Sequence, residues 1–338
     1  FGYYDHNMLV MVERTGDHLN DKDKFIPRQR LWYIRAKEVI LSTGSIERPI
    51  VFGNNDTPGI FLAAAAKEYM KVYGVLVGKE PLIFTNNDSA YEVAIEFKKN
   101  GITPLILDSR DELKSELIDE AKNLGIKIKF SHAISVANGY KKVNSAVIGK
   151  LNSDKTEFLN TETVKCDCIC VSGFWTPTVH LSSQSGNKLK FDANIDAFVP
   201  NISKQKEISI GSANGTFTLK KSLEEGFEKG FVKSNQITNK NNKIQVPNAN
   251  EKKQTSHDKF WCSPLHSKKQ FKRFVDFQND VAVSDIEIAI REGYRSIEHV
   301  KRYTTLGMAT DQGRTSNLNG LQLVSNIEKK IVPGVGHT

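Results

Sequence analysis

The sequence lacks any apolar run of the roughly 18 residues that a membrane-spanning helix requires. The longest candidate, residues 60–66, runs directly into Lys67 and Glu68. A charged-then-apolar leader of the kind that directs export is missing too. We therefore expect no contact with a membrane.

Cysteine is scarce, with four residues among 338, which is too few for a disulfide framework. Three of them, Cys166, Cys168 and Cys170, alternate within an apolar run, so we expect them to share one face of a strand at spacings of about 6.6 Å. That spacing is too wide for adjacent disulfides, and no histidine lies nearby to complete a zinc site. We interpret them as core thiols in a reducing compartment.

The composition is that of an ordinary soluble protein, with 39% hydrophobic and 25% charged residues, and its length suits two or three domains. The net charge of +8 arises from lysines gathered around residues 233–272, without aromatic residues interleaved on a regular face. A solvated linker over 233–262 accounts for this excess more simply than a nucleic-acid surface. We predict no nucleic-acid partner.

A glycine-rich phosphate turn is absent where one βαβ unit would need it. Residues 81–85 are predicted as a strand and 89–99 as a helix, followed by another strand, but residues 85–90 between them read TNNDSA. Asp88 in this turn would repel a phosphate. We therefore predict a nucleotide-binding fold that holds no nucleotide, with Asp108 as a strand-end residue rather than a ribose ligand.

Two glycine turns elsewhere suit a nucleotide better. One strand ends at Thr43 and Gly44, where the missing side chain lets backbone pass close to a ligand and the threonine offers a hydroxyl. Another ends at Gly211, before a helix predicted over 216–231 whose N-terminal amides suit a pyrophosphate. The candidate cofactor-binding residues at these turns are Thr43, Gly44, Gly211, Ser212, Ala213, Gly215 and Thr218.

Residues 274–317 carry the most specific pattern in the chain. Apolar residues at helical offsets predict short amphipathic helices broken at Gly293. Ser284, with Glu287, would cap the first helix and Ser296 the second. The second helix runs into a cation pair and two hydroxyls that suit a phosphate, namely Lys301, Arg302, Thr304 and Thr305.

The remaining pattern predicts two further features. Residues 7–13 and 30–35 are typical of an antiparallel hairpin or meander. Asp56 or Thr57 would cap a helix that runs to about residue 73.

These motifs resemble two known groups of proteins. The order of hairpin, strand, Thr-Gly-Ser and Pro49 resembles the second fingerprint of two-dinucleotide-binding-domain flavoproteins, the glutathione-reductase-like class. The runs FVDFQND and EGYRSIEHVKRYTTLGMATDQGRTSN resemble the alpha subunit of heterotetrameric sarcosine oxidase. The resemblance implies an α/β fold, with a Rossmann core followed by a small helical domain related to the bacterioferritin-associated ferredoxin type.

The same resemblance implies a cytoplasmic complex with beta, gamma and delta subunits. It would demethylate sarcosine to glycine with O2 and tetrahydrofolate, giving H2O2 and 5,10-methylenetetrahydrofolate. NAD would lie in the first dinucleotide domain, FMN between alpha and beta at the Lys301–Thr305 end of the helix, FAD on beta, and tetrahydrofolate in a C-terminal aminomethyltransferase-like domain. No residue of this chain would break a substrate bond.

In more distant relatives of the helical domain, cysteines ligate an iron–sulfur cluster. The equivalent places here resemble Asp276, Gln278, Asp311 and Ser316, none of which supplies a thiolate. We predict neither a cluster nor a metal.

The resemblance divides the chain into six parts. They are a first NAD-binding domain (1–75), a second, degenerate nucleotide domain (76–190), a return to the first (191–232), a linker (233–262), the helical domain (263–320) and the start of a truncated folate domain (321–338). We expect the central part of a longer protein. Alternatives are the alpha subunit of an octopine- or hydroxyproline-type dehydrogenase, an NAD(P)H-dependent flavin reductase, and a scaffold with vestigial nucleotide sites.

Overall fold

The computed structural model describes residues 2–20, 24–238, 246, 248–251, 257–267, 271–332 and 334–336. Its strands are β1 (Gly2–Tyr4), β2 (Met8–Arg14), β3 (Gln29–Arg35), β4 (Val39–Leu41), β5 (Ser45–Glu47), β6 (Ile60–Leu62), β7 (Pro81–Thr85), β8 (Leu105–Asp108), β9 (Lys127–Phe130), β10 (His132–Gly139), β11 (Val143–Leu151), β12 (Phe158–Lys165), β13 (Cys168–Ser172), β14 (Trp175–Pro177), β15 (Lys188–Asp192), β16 (Ala197–Ile202), β17 (Glu207–Ser209), β18 (Phe274–Asp276) and β19 (Val281–Ala282). Its helices are α1 (Ala63–Lys71), α2 (Ser89–Lys99), α3 (Glu116–Asn123), α4 (His180–Gln184), α5 (Leu219–Thr238), α6 (Val283–Arg291), α7 (Ile297–Thr304) and α8 (Asn317–Glu328).

The chain folds into two compact units. Unit 1 comprises Phe1–Ser45 and Thr176–Glu251, and unit 2 comprises Ile46–Trp175 and Lys252–Thr338. The unit boundaries fall at 45 and 175, whereas the predicted domain boundaries fall at 75 and 190.

Unit 2 is built on a five-stranded parallel sheet with the strand order β6-β13-β7-β8-β9. Its strands alternate with α1, α2 and α3 along the chain, the pattern that produces a parallel sheet. Residues on one sheet face, such as Ile83, Cys168 and Cys170, pack with the buried sides of these helices. Residues on the other face, such as Leu82 and Phe84, pack against the antiparallel sheet β10-β11-β12. The parallel sheet is therefore covered on both faces, as such sheets require.

Unit 1 is mainly β-structure. An antiparallel sheet β1-β2-β3 opens it, which confirms the predicted meander. The strands β4 and β17 pair in parallel, and β15 and β16 form an antiparallel hairpin. Tyr3, Val39 and Leu41 form its small buried core. The long helix α5 contributes no buried residue to it.

The helix predicted from Asp56 or Thr57 begins later than expected. Residues 60–62 form β6, which pairs in parallel with β13, and α1 starts only at Ala63. Branched and aromatic side chains at Ile60 and Phe61 favour this extended pairing. The helix predicted over 216–231 likewise starts late, at Leu219, and extends to Thr238 into the predicted linker.

The C-terminal end of the predicted linker also differs from the prediction. Phe260 and Trp261 are buried in unit 2, at 4% and 7% exposure. Most of the intervening residues lie outside the described part of the chain.

The helical domain of unit 2 contains α6, α7 and α8. Ser296 caps α7 as predicted, since its side chain accepts a hydrogen bond from the His299 amide. The predicted cap of α6 is wrong. The helix begins at Val283, and Asp285 rather than Glu287 accepts a bond from the Ala282 amide, at 2.8 Å. The boundary predicted between 320 and 321 falls inside α8.

The three clustered cysteines do not share one face. Cys168 and Cys170 lie on the helix side of the sheet, whereas Cys166 packs on the opposite side with Ile169 and Val171. The alternation fails because β13 begins only at Cys168, after Asp167, whose carboxylate accepts bonds from the Lys79 and Glu80 amides. All three are free thiols. Among the described residues, every helix is too short or too polar to span a membrane.

Candidate functional sites

The end of β4 forms a tight glycine turn in unit 1. Gly44 has φ +77°, and a side chain there would meet no atom within 4 Å. The Thr43 hydroxyl donates to the Thr178 carbonyl at 2.7 Å, and the Thr178 amide donates to the Gly44 carbonyl at 2.9 Å. Thr43 therefore fixes the turn, while Gly44 leaves open space beside it.

The second glycine turn follows β17. Residues Gly211–Asn214 form one turn of 3-10 helix, and Gly211 and Gly215 have φ +64° and +83°. Ala213 is buried beneath it, and Ser212 is half-buried. Glu225 of α5 accepts bonds from the Gly211 amide and the Asn214 side chain, at 2.9 and 3.0 Å. A carboxylate thus already bonds one amide of the predicted cradle.

The start of α5 carries two further features. The Thr218 hydroxyl oxygen is buried and has no hydrogen-bond partner among the described residues. The carboxylate of Glu251 accepts bonds from the amides of Leu219 and Lys220, as an anion does at a helix N-terminus. The turn therefore offers an unused hydroxyl beside amide groups that hold an anionic side chain.

The equivalent turn of unit 2 is filled by an ion-pair network. Arg110 donates to Asp108 at 2.7 Å and to Asp88 at 2.8 Å. The Tyr91 hydroxyl donates to Asp108 at 2.7 Å. All four side chains are at most 4% exposed. Asp88 is therefore not an open repulsive charge, because Arg110 neutralises it inside the site.

Burial and charge together explain the protonation of this network. Burial, and then the neighbouring charge of Asp108, raises the pKa of Tyr91 well above its usual range. Burial alone would lower the pKa of Arg110, but its bonds to Asp108 and the charges of Asp108 and Asp88 raise it instead. The site thus holds a protonated phenol and a permanent cation.

Residues 257–263, which we name the strap, run across the same turn. The Asp258 amide donates to the Asn86 carbonyl at 3.0 Å, and the Asn86 side chain donates to the Asp258 carbonyl at 2.7 Å. The Asp258 carboxylate pairs with Lys155. Asn86 itself is 2% exposed.

The four candidate phosphate residues lie at the C-terminal end of α7. Lys301 and Arg302 are in its last turn, and neither forms an ion pair with another described residue. Thr304 and Thr305 are already engaged, because their hydroxyls donate to the carbonyls of Val300 and Thr304 at 2.7 and 2.6 Å. The cations are the available groups, whereas the hydroxyls cap the helix end.

The structure brings together the four residues that resemble cluster-ligand positions. Ser316 bonds Asp276 at 3.4 Å, and Gln278 accepts from the Asp311 amide at 3.3 Å. Asp276 is buried and also accepts from the Gly307 amide at 2.7 Å. Protein donors thus satisfy these side chains. No group of three or more His, Cys, Asp or Glu residues in the described part of the chain is arranged to hold a metal.

Sequence reasoning missed several residues of these sites. Arg110 gave only the weak signal of following Asp108 by two positions, and the distant Glu225 and Glu251 gave none. Glu47 was also missed. It lies at the N-terminus of α1, where the Ala64 amide donates to it at 2.7 Å, and burial raises its pKa to about 7 despite this bond and one from Ser172.

Comparison with known proteins relates the whole chain to one group. Residues 270–338 match the family model of the sarcosine oxidase A3 domain. The sarcosine oxidase alpha subunit of Rhizobium meliloti (strain 1021) is 36% identical over 100% of this chain and 33% of its own length. That of Corynebacterium sp. (strain P-1) is 33% identical over 96% of this chain and 34% of its own length. The chain spans about a third of the length of the curated relatives that it matches.

Among solved structures, L-proline dehydrogenase from P. horikoshii is similar, with a TM-score of 0.57 and 20% identity. The match covers 91% of this chain and 57% of that one. At this identity the likeness concerns the fold alone. The fold class is the predicted one, an α/β core of the two-dinucleotide-binding-domain flavoprotein type followed by a small helical domain. Over nearly its whole length the chain is thus similar to about a third of the length of the sarcosine oxidase alpha subunits, and its residues 270–338 match the A3 domain of those proteins.

Proposed function

We propose that this chain is the nucleotide-binding and helical part of a sarcosine oxidase alpha subunit. The complete enzyme would convert sarcosine to glycine with O2 and tetrahydrofolate, giving H2O2 and 5,10-methylenetetrahydrofolate. The observation that carries this proposal is the 36% identity to such a subunit over the full chain. The name of that relative implies a multi-subunit complex, which we propose contains beta, gamma and delta subunits, with FAD on beta and tetrahydrofolate in a separate domain of alpha.

Within this frame, unit 1 would bind NAD between Gly44 and the turn of residues 211–218. Support comes from the open space at Gly44 and from the orphaned, buried hydroxyl of Thr218. Buried hydroxyls without partners are uncommon and costly, so a ligand that accepts a bond there would satisfy the group. The carboxylates of Glu225 and Glu251 would have to release the amides that they now occupy.

Replacing Thr218 by Val tests the NAD assignment because it removes the hydroxyl and keeps the shape. A hydrogen bond to a charged group contributes about 1.5–3 kcal/mol, so we expect NAD affinity of the full-length subunit to fall about 10- to 100-fold in calorimetric titration. The matched control is Thr103→Val, at an exposed position of unit 2. Equal affinity of Thr218→Val and the parent protein would contradict the assignment.

The helical domain would contribute to an FMN site shared with the beta subunit. Lys301 and Arg302 support this role because they are a cation pair without intramolecular ion-pair partners in the described chain. Adjacent helical residues diverge by about 100°, so we propose that one meets the phosphate and the other pairs across the interface. Thr304 and Thr305 would join them only by turning their hydroxyls away from the helix carbonyls.

Single replacements Lys301→Met and Arg302→Met in the assembled complex test this second site. At least one should lower FMN content and oxidase turnover, with flavin affinity reduced about tenfold or more. Lys71→Met is the control, since Lys71 is also a cation in the last turn of a helix, α1. Full FMN content and normal turnover in both variants would remove these residues from the site.

A further inference from the structure

The parallel sheet of unit 2 ends in a crevice that the chain itself fills. In open α/β sheets, ligands bind outside the carboxyl ends of the strands. The strap contacts residues just beyond that end of three neighbouring strands. Asn86 follows β7, Ser109 follows β8, and Phe174 lies two residues after β13.

The contacts of the strap are of the kinds that a dinucleotide would make. The His257 ring stacks on Phe174, with centroids 4.0 Å apart and planes 6° from parallel. The Asp258 carboxylate lies between the Lys155 ammonium and the Ser109 hydroxyl, which is 3.5 Å away. The backbone of Asp258 bonds Asn86 in both directions. The strap thus presents a flat ring, an anion and a hydrogen-bonded backbone to this end of the sheet, and these are kinds of group that a dinucleotide also carries.

The far end of the strap is anchored to the segment between β5 and β6 and to the helical domain. The Trp261 carbonyl and the Ser263 amide bond Val51 at 2.9 and 2.8 Å. Trp261 also packs its ring 4.1 Å from the Arg48 guanidinium. Cys262 is 3.4 Å from the guanidinium of Arg273, the residue that precedes β18.

We infer that the strap is an intramolecular ligand: it fills the dinucleotide crevice of unit 2 and thereby holds the helical domain against the parallel sheet. The inference does not depend on the proposed NAD or FMN sites. It accounts for a turn that lacks glycine, since the turn meets the strap through the Asn86 carbonyl and side chain and no pyrophosphate has to approach its backbone amides. It also gives the degenerate site a role, which is to fix the domain that follows.

Hydrogen–deuterium exchange of the full-length protein tests this inference. Asp258→Ala removes the anion from the crevice, and Lys155→Ala removes only its partner and serves as the milder variant. We expect both to speed amide exchange about 5- to 30-fold at residues 85–90 and, through the shared anchor, in α6. Asp154→Ala, at the exposed neighbouring position, is the control and should change neither region.

Three results would overturn the inference. The first is unchanged exchange at residues 85–90 in both variants. The second is faster exchange confined to the strap, with α6 unaffected, which would show that the strap does not hold the helical domain. The third is protection of residues 85–90 in the parent protein on addition of NAD or NADPH, which would show that a dinucleotide and not the strap occupies the crevice.

Discussion

Two strand-turn-helix segments of this chain, one after β17 and one after β7, share a backbone arrangement but differ in the side chains at the turn. In unit 1 the turn after β17 has glycines at 211 and 215 and a buried hydroxyl without a partner. In unit 2 the turn after β7 has no glycine, and its polar side chains are buried and paired. The fold alone therefore does not determine whether such a turn binds a nucleotide. Side chains that arrive from later in the chain decide it.

The two turns also differ in how deeply their charged side chains are buried. Glu225 and Glu251 approach the turn of unit 1 from half-buried or exposed positions, so a ligand can displace them at small cost. Asp88, Asp108 and Arg110 are sealed inside unit 2, where separating the charges would leave one of them without compensation. The arrangement in unit 1 allows a ligand to replace the carboxylates, whereas the ion pairs of unit 2 are part of its core.

The largest effect on stability should come from breaking the buried ion-pair network of unit 2. Arg110→Met leaves two carboxylates buried without their cation, and we expect the free energy of unfolding of unit 2 to fall by about 3–5 kcal/mol. Urea titration followed by circular dichroism measures this. Lys114→Ala, an exposed cation four residues away, should change stability by less than about 0.5 kcal/mol. A loss as small as that of the control would mean that the network contributes nothing to the core.

A somewhat smaller effect should appear at Glu47 of unit 2. Its buried carboxyl group binds a proton, whereas the buried carboxylates of Asp88 and Asp108 pair with a cation. The pKa of Glu47 is about 7, against an ordinary 4.5, because burial disfavours the charge. The folded state therefore binds this proton more tightly than the unfolded state, so the stabilisation is complete below pH 4.5 and is lost as pH rises through 7. At about 1.4 kcal/mol for each pH unit, roughly 3 kcal/mol is at stake.

Glu47→Gln should make the free energy of unfolding depend less on pH in this range. Urea midpoints measured from pH 4.5 to 8 are expected to fall less steeply for the variant than for the parent protein. Glu68→Gln, on the exposed side of the same helix α1, should keep the parental slope. Parallel profiles for Glu47→Gln and the parent would show that the carboxyl titrates normally.

The smallest effect concerns the glycines of unit 1. Gly215→Ala would place a methyl group 3.0 Å from Ile195 at a φ of +83°, and we expect a loss of about 1–2 kcal/mol. Gly230→Ala in α5 meets no atom within 4 Å and should stabilise by about 0.5–1 kcal/mol. Opposite signs in urea unfolding would confirm that only the turn glycine is required. Equal effects would indicate that the turn tolerates a side chain.

The sequence was sufficient for the elements that local pattern determines. The bounds of β7 and α2 match the predicted ranges, because apolar periodicity and turn residues agree there. The Ser296 cap was likewise local. Errors arose where distant pairing overrode the local signal, as at β6, whose extended form depends on β13 more than 100 residues later.

The sites were harder to predict for the same reason. The glycine turns were visible because glycine at a turn has a local cause. The groups that occupy the turns were not visible, because Glu251 reaches the turn of unit 1, and Asp258 the turn of unit 2, from the polar segment that composition alone marks as a linker. No local pattern connects a carboxylate to an amide that lies more than 30 residues away.

The cysteines in β13 and just before it affect how readily the protein is oxidised. A thiol reacts with peroxide as its thiolate. Burial raises the pKa of Cys166 to about 12, and the hydrogen bond with Cys168, together with burial, raises the pKa of Cys170 well above its usual value. At neutral pH very little of the Cys166 thiol would carry the reactive charge. Peroxide in solution would therefore oxidise these buried sulfurs slowly.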